Sequence, residues 1–201
     1  MTVEPSYPAA RYFTFWAHNN AWANDRLLRA CEQLDQEAFE RERVSFFPSL
    51  VLTLNHVLIV DWFYVDALEG GSLGLEAFRD DSPCRTAAAL RDEQAAVDRR
   101  LIRLCESLAD AALGREVRLI RDGGRVQRER TDRVLLHLFQ HQVHHRGQVH
   151  AMLAGTGLAP PQLDEFFLAD EAPLRRDEVE QLGWTEDALW RAGAGFRGET
   201  D

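Results

Sequence analysis

The sequence lacks the features that would divide it, export it or anchor it. Its 201 residues hold no repeat, no low-complexity segment and no linker rich in Pro, Gly or Ser. One domain is therefore expected over residues 1–201, with its core over 9–169. Met1-Thr2-Val3-Glu4-Pro5 has no basic segment leading into an apolar run, so no signal peptide is expected. The most apolar stretch, Leu50 to Val65, is interrupted by Asn55, His56 and Asp61 and is too short to span a bilayer. A cytoplasmic protein with no membrane partner follows. Cysteine is scarce: Cys31, Cys84 and Cys105 stand alone, with no Cys-x-x-Cys, which excludes a zinc knuckle and a disulfide framework. Buried reduced thiols are expected. Positive charge is in deficit, with 23 Lys and Arg against 33 Asp and Glu and a net charge of -10. The richest basic stretch, Arg115 to Arg133, is interleaved with Glu116, Asp122, Glu129 and Asp132 and reads as a solvated face. Such a chain is repelled by phosphate backbones, so nucleic acid is not expected as a partner. Gly-x-Ser-x-Gly and a phosphate-cradling glycine loop are also missing.

What is present reads as helix. Tyr12, Phe13, Phe15, Trp16, Trp22, Leu27, Leu28 and Leu34 recur at helical spacing, which predicts a first helix over Ala9 to Leu34. Asn19, Asn20 and Asn24 are poor helix formers in its middle, a sign that some serve a site or an interface. Pro48 suits the first turn of a second helix running to Glu69, with Ser45 as its cap and Gly70-Gly71 as its stop. That helix is apolar nearly all round, as a central helix should be. Ser82-Pro83 opens an amphipathic third helix, Cys84 to Ala109. Val117 to Arg128, turning at Asp122-Gly123-Gly124, predicts a β-hairpin. A fourth helix follows, capped by Thr131 and ending near Gly155 or Gly157, with Pro160-Pro161 beyond. The tail is expected to hold an extended piece, Leu163 to Leu168, one or two short helices, and frayed residues from Gly193. The fold class is all-α: a four-helix bundle with a hairpin inserted before the last helix.

Five of the seven histidines fall between His137 and His150. His141 and His145 are four apart, so they stack on one helix face and can grip one ion from a rigid rod. A divalent transition ion needs at least a third ligand. His56, on the apolar second helix, is the strongest candidate, because a buried imidazole must satisfy both ring nitrogens. A metal would take one, and a carbonyl or carboxylate the other. Asp61 is the alternative ligand. His137, His144 and Gln148 lie on neighbouring arcs, and His150 points away. The residue after the first His of the pair is Gln142, where the zincin motif carries a Glu general base. Gln cannot take a proton, which excludes metalloprotease chemistry by that route.

These residues resemble the DinB-like family, the metal-binding bundles that include damage-inducible proteins and thiol-dependent transferases. The landmarks are Trp22-Ala23-Asn24 with Leu27-Leu28, then Leu54-Asn55-His56, then His141-Gln-Val-His144-His145-Arg146-Gly147-Gln148, and finally Pro160-Pro161-Gln-Leu-Asp164. The resemblance implies an up-down-down-up bundle with one ion held by His56, His141 and His145. It implies an open metal position, used by some relatives to activate the sulfur of a small thiol. It also implies a homodimer, which the excess of aromatics on the first helix supports. Zinc and nickel head the expected metals, with iron and copper behind.

Three functions are open at this point. One is a metal-dependent enzyme, a thiol S-transferase or small hydrolase, with the catalytic residues unknown. Asn24, Asp61, His144, Arg146 and Gln148 are candidates for contact with substrate or for support of the ligands. His144, Asp61 and Asp164 could serve as base, and Arg146 could clamp an anion. The second is a metal-holding stress protein or scaffold without turnover, and the third a bundle whose histidines are structural.

Overall fold

The computed structural model describes residues 7–190, and the frayed end expected from Gly193 lies outside them. Four long helices form the body. α1 spans Ala9–Cys31; after the short α2, Gln36–Glu40, come α3, Leu50–Leu68, α4, Ala87–Ser107, and α5, Thr131–Ala154. α1 packs against α4 and α5, and α3 packs against the same two, so α1 faces α3 across one diagonal and α4 faces α5 across the other. Each diagonal is crossed by a connection: Glu32 to Ser49 with α2, and Leu108 to Arg130 with the hairpin. The hairpin pairs β1, Glu116–Ile120, with β2, Val126–Arg130, antiparallel, with Glu116 opposite Arg130. Its turn requires left-handed backbone at Gly123 (φ 64°) and Gly124 (φ 74°). Val117 and Leu119 point from β1 into the core.

α3 is long and apolar enough to cross a bilayer by composition, but its flanks are covered by its neighbours, as in the core helix of a globular bundle. Leu50, Leu54, Leu58 and Val65 are buried there with Leu101 of α4 and Leu135 and Leu138 of α5. The three cysteines are free and buried. Burial pushes the Cys31 and Cys105 thiols up to about 12, which keeps them protonated.

Three helix starts differ from expectation. α4 begins at Ala87 rather than Cys84, capped by Thr86, whose Oγ1 accepts from Ala89 N at 3.2 Å. Ser49, not Ser45, caps α3: its Oγ accepts from Leu52 N at 3.3 Å. Pro48 sits one residue outside the cap rather than in the first turn. Thr131 is the first residue of α5 rather than its cap. β2 runs straight into the helix, so the Thr131 hydroxyl is drawn sideways and donates to Arg115 O at 3.1 Å. The tail forms α6, Ala172–Gln181, and α7, Glu186–Trp190. They close over α1, where Trp22 packs with Phe166, Val179 and Leu189, and Arg26 bridges to Glu165 and Glu178 at 2.8 and 2.9 Å.

Candidate metal centre

The rotation of α3 about its axis decides whether His56 can meet α5. Asn55 sets that rotation. Its amide is fully buried and clamps the lead-in to α4 from both sides, donating to Cys84 O at 2.7 Å and accepting from Cys84 N at 2.9 Å. A third bond ties it to Val51 O one turn back. With Asn55 turned toward α4, His56 faces α5.

His141 and His145 stack there one turn apart, with ring centroids 4.3 Å from each other. His56 Nε2 lies 3.0 Å from His141 Nε2, and the His56 ring is 4.7 Å from that of His145. One ligand atom from each of the three lies within 4.8 Å of the others. On the far side of His145, Nδ1 is 2.8 Å from Gln148 Oε1. An amide oxygen only accepts, so Nδ1 carries the hydrogen and the Nε2 lone pair is left for the cluster. The Gln148 amide in turn meets His144 Nε2 at 3.2 Å. Among the described residues, the buried Nδ1 of His141 has no partner. Phe47 covers the outer side, 4.3 Å from the His56 ring and 5.7 Å from that of His145.

All three rings are neutral near pH 7. Burial, then the neighbouring His145, pushes His56 down to about 4. Burial, then His145 and His56, pushes His141 down to about 3, and burial also lowers His145. Three neutral nitrogen donors on rigid helices, two of them already facing each other, fit a divalent late transition ion. These shifts move the pH dependence expected of free imidazole. Metal affinity is expected to hold as pH falls through 6.5 and to decline as it nears the 4 of His56. Competition titrations between pH 8 and 4 check this, and a tenfold fall by pH 6 would contradict it. In the unfolded chain the same rings take up protons near 6.5, so below that pH the unfolded state binds more protons and the metal-free fold loses stability.

The other candidates are placed elsewhere. Asp61 does not join the histidines. It is fully buried on α3 in a polar network, where Gln94 Nε2 donates to its Oδ2 at 2.7 Å and Gln142 also donates to that oxygen. Asn20 and Asn24 donate to Asp98 of α4 at 2.9 and 3.0 Å. Arg146 borders the cleft beside Trp16 with little of its surface exposed. It is buried and donates to the side-chain oxygens of Asn20, Asn24 and Gln142 at 2.5, 2.9 and 3.1 Å. Each amide thus accepts from the guanidinium and donates to a carboxylate. Burial, then Asp98, raises Asp61 to about 7; burial raises Asp98 to about 6 and lowers Arg146 to about 10. Asp98, Gln94 and the bonding role of Gln142 were not found by sequence reasoning; the mid-helix asparagines were the available signal. Asp164 and His150 border the same cleft beside Trp16. His137 stands 6.3 Å from His141, against Tyr64, outside the cluster.

Similarity to known proteins agrees with this architecture. A protein-family model, that of the DinB family, matches residues 12–181. Protein DinB of Bacillus subtilis (strain 168) is 23% identical over 150 residues, which is 72% of this chain and 86% of that protein. The crystal structure of a DinB-like protein from Bacillus cereus ATCC 10987 superposes with a TM-score of 0.56 at 19% identity, covering 72% of this chain and 91% of that one. That likeness is one of fold. With the family match spanning most of the sequence, the chain belongs to the DinB family.

Proposed function

We propose that this protein is a metal-dependent enzyme that uses the three histidines to activate the sulfur of a small thiol for transfer to an electrophile. The supporting observation is the donor set: three neutral imidazoles with no carboxylate or thiolate among them. A zinc or nickel ion so held would keep its full charge and supply Lewis acidity that lowers the pKa of a thiol. The protein's own residues supply the rest. Gln148 fixes the tautomer of His145, Phe47 shields the rings from water on one side, and Asn55 holds His56 in register. Thiol transfer is favoured over hydrolysis because no carboxylate base stands among the histidines, and His144 beside them has its Nε2 engaged with the Gln148 amide. Asp61 is sealed in the buried network and Asp164 borders another cleft, and a thiol needs less help to ionise than water does. The sulfur must come from outside, since the chain's own thiols are buried. A cytoplasmic, reducing location suits both those free cysteines and a small thiol substrate.

The test is a screen of the zinc- and nickel-loaded protein against electrophiles paired with several cellular thiols, read as loss of free thiol. Turnover that disappears in His145→Ala supports the reading. A loaded protein that consumes no thiol would leave a metal-holding stress protein or scaffold as the better description.

A homodimer forms part of the same reading. Trp16, Val143 and Phe167, at 38%, 50% and 40% exposure, border one cleft and form a shared apolar surface. Sedimentation is expected to show a dimer that Trp16→Glu dissociates, and a wild-type monomer would refute it.

A further inference from the structure

The loop between α2 and α3 connects two features. Its end places Phe47 on the rings of His56 and His145. Its beginning places Arg41 and Arg43 in the wall of a cleft of about 700 Å³. The opposite wall includes Gln148, the residue bonded to His145, so the cleft adjoins the metal centre through that side chain. Its volume is that of a small-molecule site. Its lining holds two arginines and no carboxylate, in a chain with net charge -10 and no lysine at all. Arg41 is paired with Glu37 at 3.1 Å on the open surface, where such a pair is weak. Arg43 is half-buried and has no acidic partner among the described residues. Its guanidinium donates only to backbone, to Arg41 O and Ala38 O, both at 2.7 Å. These bonds hold the group in place and leave N–H donors free. Burial, then the charge of Arg41, lowers its pKa, and the negative charge of an arriving anion would offset both.

We infer that this cleft receives the anionic end of the thiol substrate, with Arg43 as its recognition group and Arg41 adding charge. The inference rests on the thiol reading above and narrows the substrate to small thiols bearing a carboxylate or sulfonate. A guanidinium offers such groups charge-assisted, forked hydrogen bonds that it cannot offer a neutral or cationic thiol.

The experiment uses the full chain loaded with cobalt(II), whose charge-transfer absorption reports thiolate binding. Four probes of similar size are titrated: 3-mercaptopropionate, 2-mercaptoethanesulfonate, 2-mercaptoethanol and cysteamine. The two anions are expected to bind about tenfold more tightly than 2-mercaptoethanol, with cysteamine weakest. The ranking of the two anions shows whether the cleft takes a carboxylate or a sulfonate better. Arg43→Gln should remove most of that preference and leave the Kd for 2-mercaptoethanol within about twofold, which also reports an intact site. Arg43→Lys should keep part of it. If Arg43→Gln does not fold, Arg41→Gln decides, with a smaller loss expected. Equal affinity for all four thiols, or a preference unchanged in both glutamine variants, overturns the inference. Binding of none of the four removes the thiol reading, and this inference with it.

Discussion

His141→Ala and His145→Ala are each expected to abolish stoichiometric metal binding, while His150→Ala leaves it intact. The wild-type protein, purified without a nickel column or chelator, should carry close to one divalent ion per chain by elemental analysis. Removing either ring leaves two imidazoles, which is too few for a divalent late transition ion at trace concentration. Gln148→Ala should act more mildly. The ligands stay, but His145 loses the partner that fixes its tautomer, and supports of this kind are worth about 10–100-fold in affinity. His150 borders the cleft beside Trp16, away from the cluster, so its variant controls for the number of histidines. Full occupancy in His145→Ala, or a metal-free wild type, would refute the assignment.

The largest expected effect on folding belongs to Arg146→Met. Arg146 is the cation that the network supplies to Asp61 and Asp98, acting through three amides. Without it two carboxylates stay buried beside each other with no positive charge. Breaking a buried charge network from one side costs about 3–5 kcal/mol, which urea denaturation would detect. The sign of its pH dependence follows from the raised carboxylate values. Between the unfolded 3.8 and the folded values near 6 and 7, the folded state binds more protons, so these groups favour folding as pH falls. Losing Arg146 raises them further. The deficit should therefore be greatest near pH 8 and shrink toward pH 5, whereas the histidine contribution is common to both proteins and cancels. Gln142→Glu would restore the zincin pattern on paper. In the fold, however, position 142 meets Asp61 and Arg146 and not the histidines, so the variant is expected to lose stability and gain no peptidase activity. A deficit under about 1 kcal/mol for Arg146→Met, or one that does not change with pH, would contradict this account.

The two parts of the centre differed in how far the sequence revealed them. The His141–His145 pair follows from helical spacing alone, because four residues make one turn. His56 does not. Its direction depends on Asn55 grasping Cys84, a contact across 29 residues that leaves no periodic trace. The four long helices were legible because their apolar faces repeat. The short α2 was not, since five residues carry too little pattern. Asn20 and Asn24 stood out as misfits in a helix and turned out to be buried. Their partner Asp98 did not stand out, because an acid followed by Arg99 and Arg100 on an amphipathic helix reads as a solvated face.

The diagonal order of the bundle bears on how the protein assembles. His56 and His141 are 85 residues apart in sequence, on two helices that touch only after the chain has passed through α4 and crossed the diagonal from α4 to α5. An emerging chain therefore cannot build the site from neighbouring segments, and loop-closure entropy must be overcome before the rings meet. An ion held by these rings would tie two distant segments together as a cross-link does, and resistance to unfolding is expected to rise with the free metal concentration.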